Sequence, residues 1–141
     1  GSYGGYMTSW IIGHTDRFRA ACSERAVNDV LALEQTSDAG GVFRTYVGVS
    51  HLDDPDEYRR WSPIEHVRAM TTPLLIMHSE QDLRCPIAQA DMLFVALRML
   101  ERDVEMVRFE GESHELSRSG APKHRVQRLE ILLEFFDRHL A

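Results

Sequence analysis

The run Thr72-Pro73-Leu74-Leu75-Ile76-Met77-His78 limits the possible folds more than any other stretch of the chain. Its apolar residues are continuous, a proline precedes them, and the polar group Ser79-Glu80-Gln81-Asp82 closes them. A strand that is apolar at every position has to be covered on both faces. That is the situation of a central strand in a parallel sheet with helices packed above and below.

The segments on either side alternate between strand-like and helix-like patterns, which makes the expected class α/β. Tyr3 to His14 reads as a helix buried on most sides. Phe18 to Cys22, within Asp16 to Glu24, suits a short buried strand. Val27 to Gln35 reads as a helix and Ser37-Asp38-Ala39-Gly40-Gly41 as a loop. Ser62-Pro63-Ile64-Glu65 combines a serine N-cap, a first-turn proline and a glutamate, marking the start of a short helix that ends near Met70. Pro86 to Glu101 is an amphipathic helix, with Ala88, Met92, Val95, Ala96 and Met99 at helical spacing. Val104 to Phe109 alternates as a strand does. Pro122 to Leu140 is a last helix with Val126, Leu129, Leu132, Leu133 and Phe136 on one stripe.

Composition excludes several classes of function. A net charge of −6 leaves no basic stripe for a nucleic acid or an anionic membrane. No apolar run is long enough to span a bilayer. The 141 residues, 43% of them hydrophobic, supply the core of one domain. Cys22 and Cys85 are far apart and without metal-ligand spacing, so two free thiols in a reducing cytoplasm are expected, with no metal and no cofactor.

Chemistry enters where strands end. In open α/β sheets the functional groups gather at the carboxyl ends of the strands. Asp82 follows the strand Leu74 to His78, and His114 follows the strand Val104 to Phe109 within Gly111-Glu112-Ser113-His114. At the start of the chain, Gly1-Ser2-Tyr3-Gly4-Gly5 reads as G-x-S-x-G with its first two positions cut to one, the end of a strained turn that projects a serine at a helix N-terminus. A serine so placed also reads as an N-cap or a mobile polar residue. The order Ser2, Asp82, His114 is nevertheless that of an α/β-hydrolase triad. Among seven histidines, His124 and His139 fall in the last helix, and His78 closes a strand. The turn before His114 gives it the reach to meet Ser2. Phe43, Tyr46 and Trp61, in the irregular stretch from Val42 to Trp61, read either as a pocket wall or as anchors of short helices to the core.

Three separated motifs carry a resemblance through nearly the whole chain. They are Gly1-Ser2-Tyr3-Gly4-Gly5-Tyr6-Met7-Thr8, His78-Ser79-Glu80-Gln81-Asp82-Leu83-Arg84-Cys85-Pro86 and Ser113-His114-Glu115-Leu116-Ser117-Arg118-Ser119-Gly120. Together they resemble the C-terminal part of prolyl-oligopeptidase-family serine peptidases, especially the acylaminoacyl-peptidase branch. The resemblance implies residues 1–141 of an α/β-hydrolase domain from the nucleophile onward, about three parallel strands with flanking helices, without the upstream half-domain and the β-propeller of that family. It implies Ser2 as nucleophile, Asp82 as the acid, His114 as the base and the backbone N–H of Tyr3 as one oxyanion donor. Short or N-acylated peptides are the implied substrates, and Phe43, Tyr46 and Trp61 the implied apolar pocket. An esterase or lipase on the same fold, or a non-catalytic fragment or association module, stays open beside it. With half a domain missing, the chain alone is expected to be inactive and oligomeric, its open strand edge covered by the upstream part of the same enzyme or by a second chain.

Overall fold

A computed structural model describes residues 1–141. Its centre is a three-stranded parallel sheet in the order β1 (Ala21–Glu24), β2 (Leu74–Ser79), β3 (Val104–Phe109). Ala21 lies opposite Leu74 and Leu74 opposite Val104. Every residue of β2 is buried, the apolar run Leu74 to Met77 as its sequence requires and the polar His78 and Ser79 along with it. Its side chains divide by the two-residue period of a strand. Leu74 and Ile76 join Ile12, Met70, Leu93 and Leu97 on one face, while Leu75 and Met77 join Phe109, Leu116 and Phe135 on the other. Fully burying each such side chain contributes about 1.5–3 kcal/mol, so β2 is the anchor of both layers.

Helix α1 (Ser2–Ile12) and α5 (Ala88–Met99) cover the first face together with a 3₁₀ segment, Pro63–Ala69. Helices α6 (Leu116–Ser119) and α7 (Pro122–Leu140) lie on the second. Between β1 and β2 the chain forms α2 (Val30–Thr36), α3 (Arg44–Val47) and α4 (Pro55–Arg60), held by a separate cluster of Val27, Val30, Leu33, Tyr58 and Cys85. No helix is long and apolar enough to cross a membrane.

Several local expectations shift. The first strand begins at Ala21, and Phe18 is exposed, because the parallel register with Leu74 starts three residues after the phenylalanine. Helix α2 begins at Val30, because Asp29 caps it by accepting from the Ala32 N–H, while the Asn28 and Asp29 N–H groups donate to the Gln89 side chain. Ser62 makes no capping bond: its hydroxyl accepts from the Val30 N–H and donates to the Tyr58 carbonyl, tying α2 to α4. Helix α1 buries only Gly5, Ser9 and Ile12.

The stripe expected on α5 faces outward: Val95 and Met99 are exposed, while Ala90, Leu93 and Leu97 are buried. The run Met92-Leu93-Phe94-Val95-Ala96-Leu97 is apolar all round, so the helix's rotation is decided by the strands beneath it. On α7 Phe135 is the buried anchor, with Leu132 and Phe136 beside it, and Val126, Leu129 and Leu133 remain exposed. The outer edge of β1 pairs with no strand. Beside it runs a groove of about 490 Å³ whose walls include Gly1, Ile11, Phe18, Cys22 and Phe136.

Candidate active site

Ser2, His114 and Asp82, separated by up to 112 positions, meet at the carboxyl edge of the sheet. Ser2 is the first residue of α1, with Gly1 in the cap position. The helix's first bond runs from the Gly5 N–H to the Gly1 carbonyl, so the N–H groups of Ser2, Tyr3 and Gly4 precede the helical ladder and have no partner within it. The backbone strain expected of the serine turn is not at Ser2. Positive φ outside glycine occurs only at Arg25 and Glu101, because Ser2 is already helical. Among the motif's glycines only Gly5 is sterically required: a Cβ there would stand 2.3 Å from the Glu24 carbonyl oxygen, whereas one at Gly4 would meet nothing.

Asp82 sits in the turn after β2 and is 2% exposed. Its Oδ1 accepts from the Cys85 N–H at 2.8 Å, and its Oδ2 lies 2.7 Å from His114 Nδ1. A carboxylate can only accept, so Nδ1 carries the proton and Nε2 is free to accept. Ser2 Oγ lies 3.1 Å from that Nε2. His114 belongs to the loop after β3, which turns at Gly111 with φ +72°. A hydroxyl hydrogen-bonded to an imidazole that an ionised carboxylate orients is an arrangement able to activate the hydroxyl as a nucleophile.

Burial alone would raise the Asp82 pKa. Hydrogen bonds from His114, His78 and the Cys85 N–H outweigh it, and the group falls from 3.8 to about 2. The carboxylate therefore ionises more readily in the folded chain than in the unfolded one. Its contribution to stability is complete above about pH 4 and disappears as the pH falls towards 2. Acid unfolding followed by circular dichroism is expected to show a shallower loss of stability across that interval in Asp82→Asn than in the parent. Identical acid limbs would contradict the assignment.

His78, placed by its position at the end of β2, is buried directly behind this turn. Its Nε2 donates to the Cys85 carbonyl at 2.7 Å and lies 3.4 Å from Asp82 Oδ2. Its four-residue spacing from Asp82 was the one local sign of that contact. Arg25 also reaches the site, donating to the His114 carbonyl, and no sequence pattern marks it.

The aromatic residues considered for a pocket all lie in the stretch of chain between β1 and β2. Phe43 packs on the cluster around Tyr58 and stacks at a tilt on Tyr46, which is exposed. Trp61 stacks on Trp10 of α1 with ring centres 6.1 Å apart, and its Nε1 donates to Glu57. Tyr3 is likewise exposed, and its N–H, which precedes the helical ladder, is the candidate donor. Both thiols are unpaired, and burial pushes each up to about 12, which leaves them poor nucleophiles. No group of three or more His, Cys, Asp or Glu residues is arranged to hold a metal ion.

Known proteins share this arrangement of elements. The chain is 42% identical to the uncharacterized peptidase YuxL of Bacillus subtilis over 99% of its own length and 22% of that protein's. It is 29% identical to the acylamino-acid-releasing enzyme of Arabidopsis thaliana, with 84% of the chain and 17% of that enzyme covered. The crystal structure of Pyrococcus horikoshii acylaminoacyl peptidase superposes with a TM-score of 0.94 at 34% identity, covering 98% of the chain and 22% of the peptidase. The chain thus spans about a fifth of the length of these relatives, in their C-terminal part, and its three strands with flanking helices are that portion of an α/β-hydrolase fold. The sequence model of the prolyl oligopeptidase family matches residues 1–141, so the chain belongs to that family.

Proposed function

We propose that this chain carries the catalytic triad of a serine peptidase that hydrolyses short or N-acylated peptides, with Ser2 as nucleophile, His114 as base and Asp82 as the orienting acid. The observation that carries the reading is the unbroken hydrogen-bonded row from Ser2 Oγ through the imidazole to the buried Asp82 carboxylate. Names of the relatives, acylaminoacyl peptidase and acylamino-acid-releasing enzyme, support the substrate class.

In this mechanism Ser2 Oγ attacks the peptide carbonyl carbon while its proton passes to His114 Nε2. The tetrahedral oxyanion accepts from the Tyr3 N–H at the start of α1, where the helix dipole favours negative charge. Collapse breaks the C–N bond, and the leaving amine takes the proton from Nε2. Water, deprotonated by the same imidazole, then attacks the acyl carbon, and Ser2 Oγ leaves with the proton from Nε2 as the carboxylic acid is released. Asp82, ionised throughout, holds Nδ1–H and stabilises the imidazolium.

Residues 1–141 act here as the C-terminal part of a hydrolase domain within a longer, cytoplasmic enzyme. A second oxyanion donor and the cover for the bare β1 edge come from upstream sequence or, failing that, from a second copy of the chain. Phe43, Tyr46 and Trp61 contribute an apolar wall for the side chain next to the scissile bond. The chain by itself is inactive and self-associates.

A fluorophosphonate probe, an acyl-peptide anilide and a p-nitrophenyl ester, each applied to the chain alone and to a polypeptide of the relatives' length, test the proposal. The expected result is labelling of Ser2 and anilide turnover in the longer polypeptide, both lost in His114→Ala and both absent from the chain alone. Labelling at another residue would overturn the triad. Ester hydrolysis without anilide hydrolysis would favour the esterase reading, and turnover by a monomer of the chain alone would remove the need for an upstream part.

A further inference from the structure

Arg25, immediately after β1, holds a conformation and a set of contacts that packing does not require. Its φ is +40°, a region that residues with a Cβ rarely occupy. Its backbone N–H still continues the sheet ladder by donating to the Met77 carbonyl at 3.0 Å. The turn therefore comes at the point where the strand ends and redirects the side chain. The half-buried guanidinium makes no ion pair with any carboxylate. Nη1 instead donates to the His114 carbonyl at 2.7 Å and Nη2 to Ser117 Oγ at 2.6 Å. Backbone strain of this kind persists where surrounding contacts over-determine it, and it concentrates at functional sites.

The His114 loop has few other backbone anchors. It leaves β3 through Gly111 in the left-handed conformation and runs to α6, a helix of only four residues. Its remaining backbone tie to the sheet side is the Gln81 N–H donating to the Glu112 carbonyl at 2.9 Å. Leu116 anchors the segment in the core with Leu75, Met77 and Phe135, the buried Glu112 carboxylate accepts from the Ala121 N–H, and bonds from the imidazole to Asp82 and Ser2 orient the ring, but none of these can tie the His114 backbone to the end of β1. Arg25 can, because its other end is welded to the nucleophile's side of the site. The Glu24 carbonyl and the Ala26 side chain press on Gly5 of α1, closely enough that any Cβ at Gly5 would overlap both.

We propose that Arg25 is a positioning residue for hydrolysis: its guanidinium clamps the His114 and Ser117 segment to the end of β1, setting the distance between the base and Ser2. This rests on the triad reading above. Displacements of about 1 Å in a reacting pair can cost about a hundredfold in rate, so the clamp acts on turnover and leaves substrate affinity alone.

The test uses the longer polypeptide and four variants, Arg25→Ala, Arg25→Gly, Arg25→Lys and Ser117→Ala, with kcat, KM, the rate of fluorophosphonate labelling and thermal unfolding measured for each. Glycine adopts positive φ freely, so Arg25→Gly relieves the strain and preserves the turn even where alanine disturbs it. The expected result is a fall in kcat and labelling rate of about 10- to 100-fold in the alanine and glycine variants with KM within about twofold. Arg25→Lys, keeping a cationic donor, recovers part of the loss, and Ser117→Ala shows a smaller one. Arg25→Gly with parental kcat would overturn the clamp. A raised KM at unchanged kcat would also overturn it, by making Arg25 a substrate contact. So would an equal loss in all four variants tracking lowered melting temperature, since that describes a structural role. A parent that is not labelled at Ser2 would overturn the triad reading, and the clamp with it, whereas a labelled parent with an indifferent Arg25→Gly removes the clamp alone.

Discussion

Alanine at Ser2 is expected to lower peptide hydrolysis by the longer polypeptide by about a millionfold, and asparagine at Asp82 by about 10⁴-fold, each leaving the fold intact. The two numbers differ for a physical reason. In the proposed mechanism Ser2 supplies the atom that forms the acyl bond, and without it only the oxyanion donors and substrate binding remain. Asp82→Asn leaves a group of the same shape that can donate to His114 Nδ1, which stabilises the tautomer whose Nε2 carries the proton and cannot accept one from Ser2. The asparagine amide would also face His78 Nε2, itself committed as a donor to the Cys85 carbonyl. Initial rates with an acyl-peptide anilide, beside circular dichroism on the same samples, decide the matter. Peptidase activity within tenfold of the parent in a folded Ser2→Ala protein would remove Ser2 from the mechanism.

The second large effect concerns stability. In the isolated chain Gly5→Ala is expected to destabilise the fold by about 3 kcal/mol, while Gly4→Ala, one residue earlier, is expected to stabilise it by about 0.4–1 kcal/mol. Both glycines lie in α1, where alanine is the better helix former. The difference is what each Cβ would touch. At Gly5 it meets the Glu24 carbonyl oxygen at 2.3 Å and the Ala26 Cβ at 2.8 Å, and relieving the overlap means separating α1 from β1. At Gly4 there is open space. Urea unfolding midpoints measure the pair, and two substitutions of equal effect would show that α1 does not sit this close to the strand. Because Ser2 is carried on the same helix, activity is expected to fall in Gly5→Ala among the molecules that remain folded.

Parts of the molecule were legible in the sequence for reasons that are local. The all-apolar run of β2, the alternation in β3 and the length of α7 each follow from side chains that decide their own secondary structure. Ser2, Asp82 and His114 could be nominated because each lies beside a recognisable element boundary, and parallel strands send those boundaries to one edge. The rotation of α5 was not legible, since its apolar residues surround the helix and its facing residues are chosen by β2 and β3. Ser62 carries the signature of an N-cap but bonds instead to Val30 and Tyr58, because tertiary packing delivers a buried N–H to its hydroxyl.

By itself the sequence determined the class of fold, the parallel order of elements and the identity of three groups able to form a relay, because these depend on periodicity, turn chemistry and chain order. Only the tertiary structure decided that His78 lies against Asp82, that Cys85 donates to its carboxylate and that Arg25 reaches the His114 carbonyl across 89 positions. The first two contacts lie within the turn after β2, whose folding sets them, whereas the third joins the ends of β1 and β3, and no local pattern encodes the distance between strand ends. It is set by the registers Ala21 to Leu74 and Leu74 to Val104, which bring the three loops to one edge only after the sheet has formed.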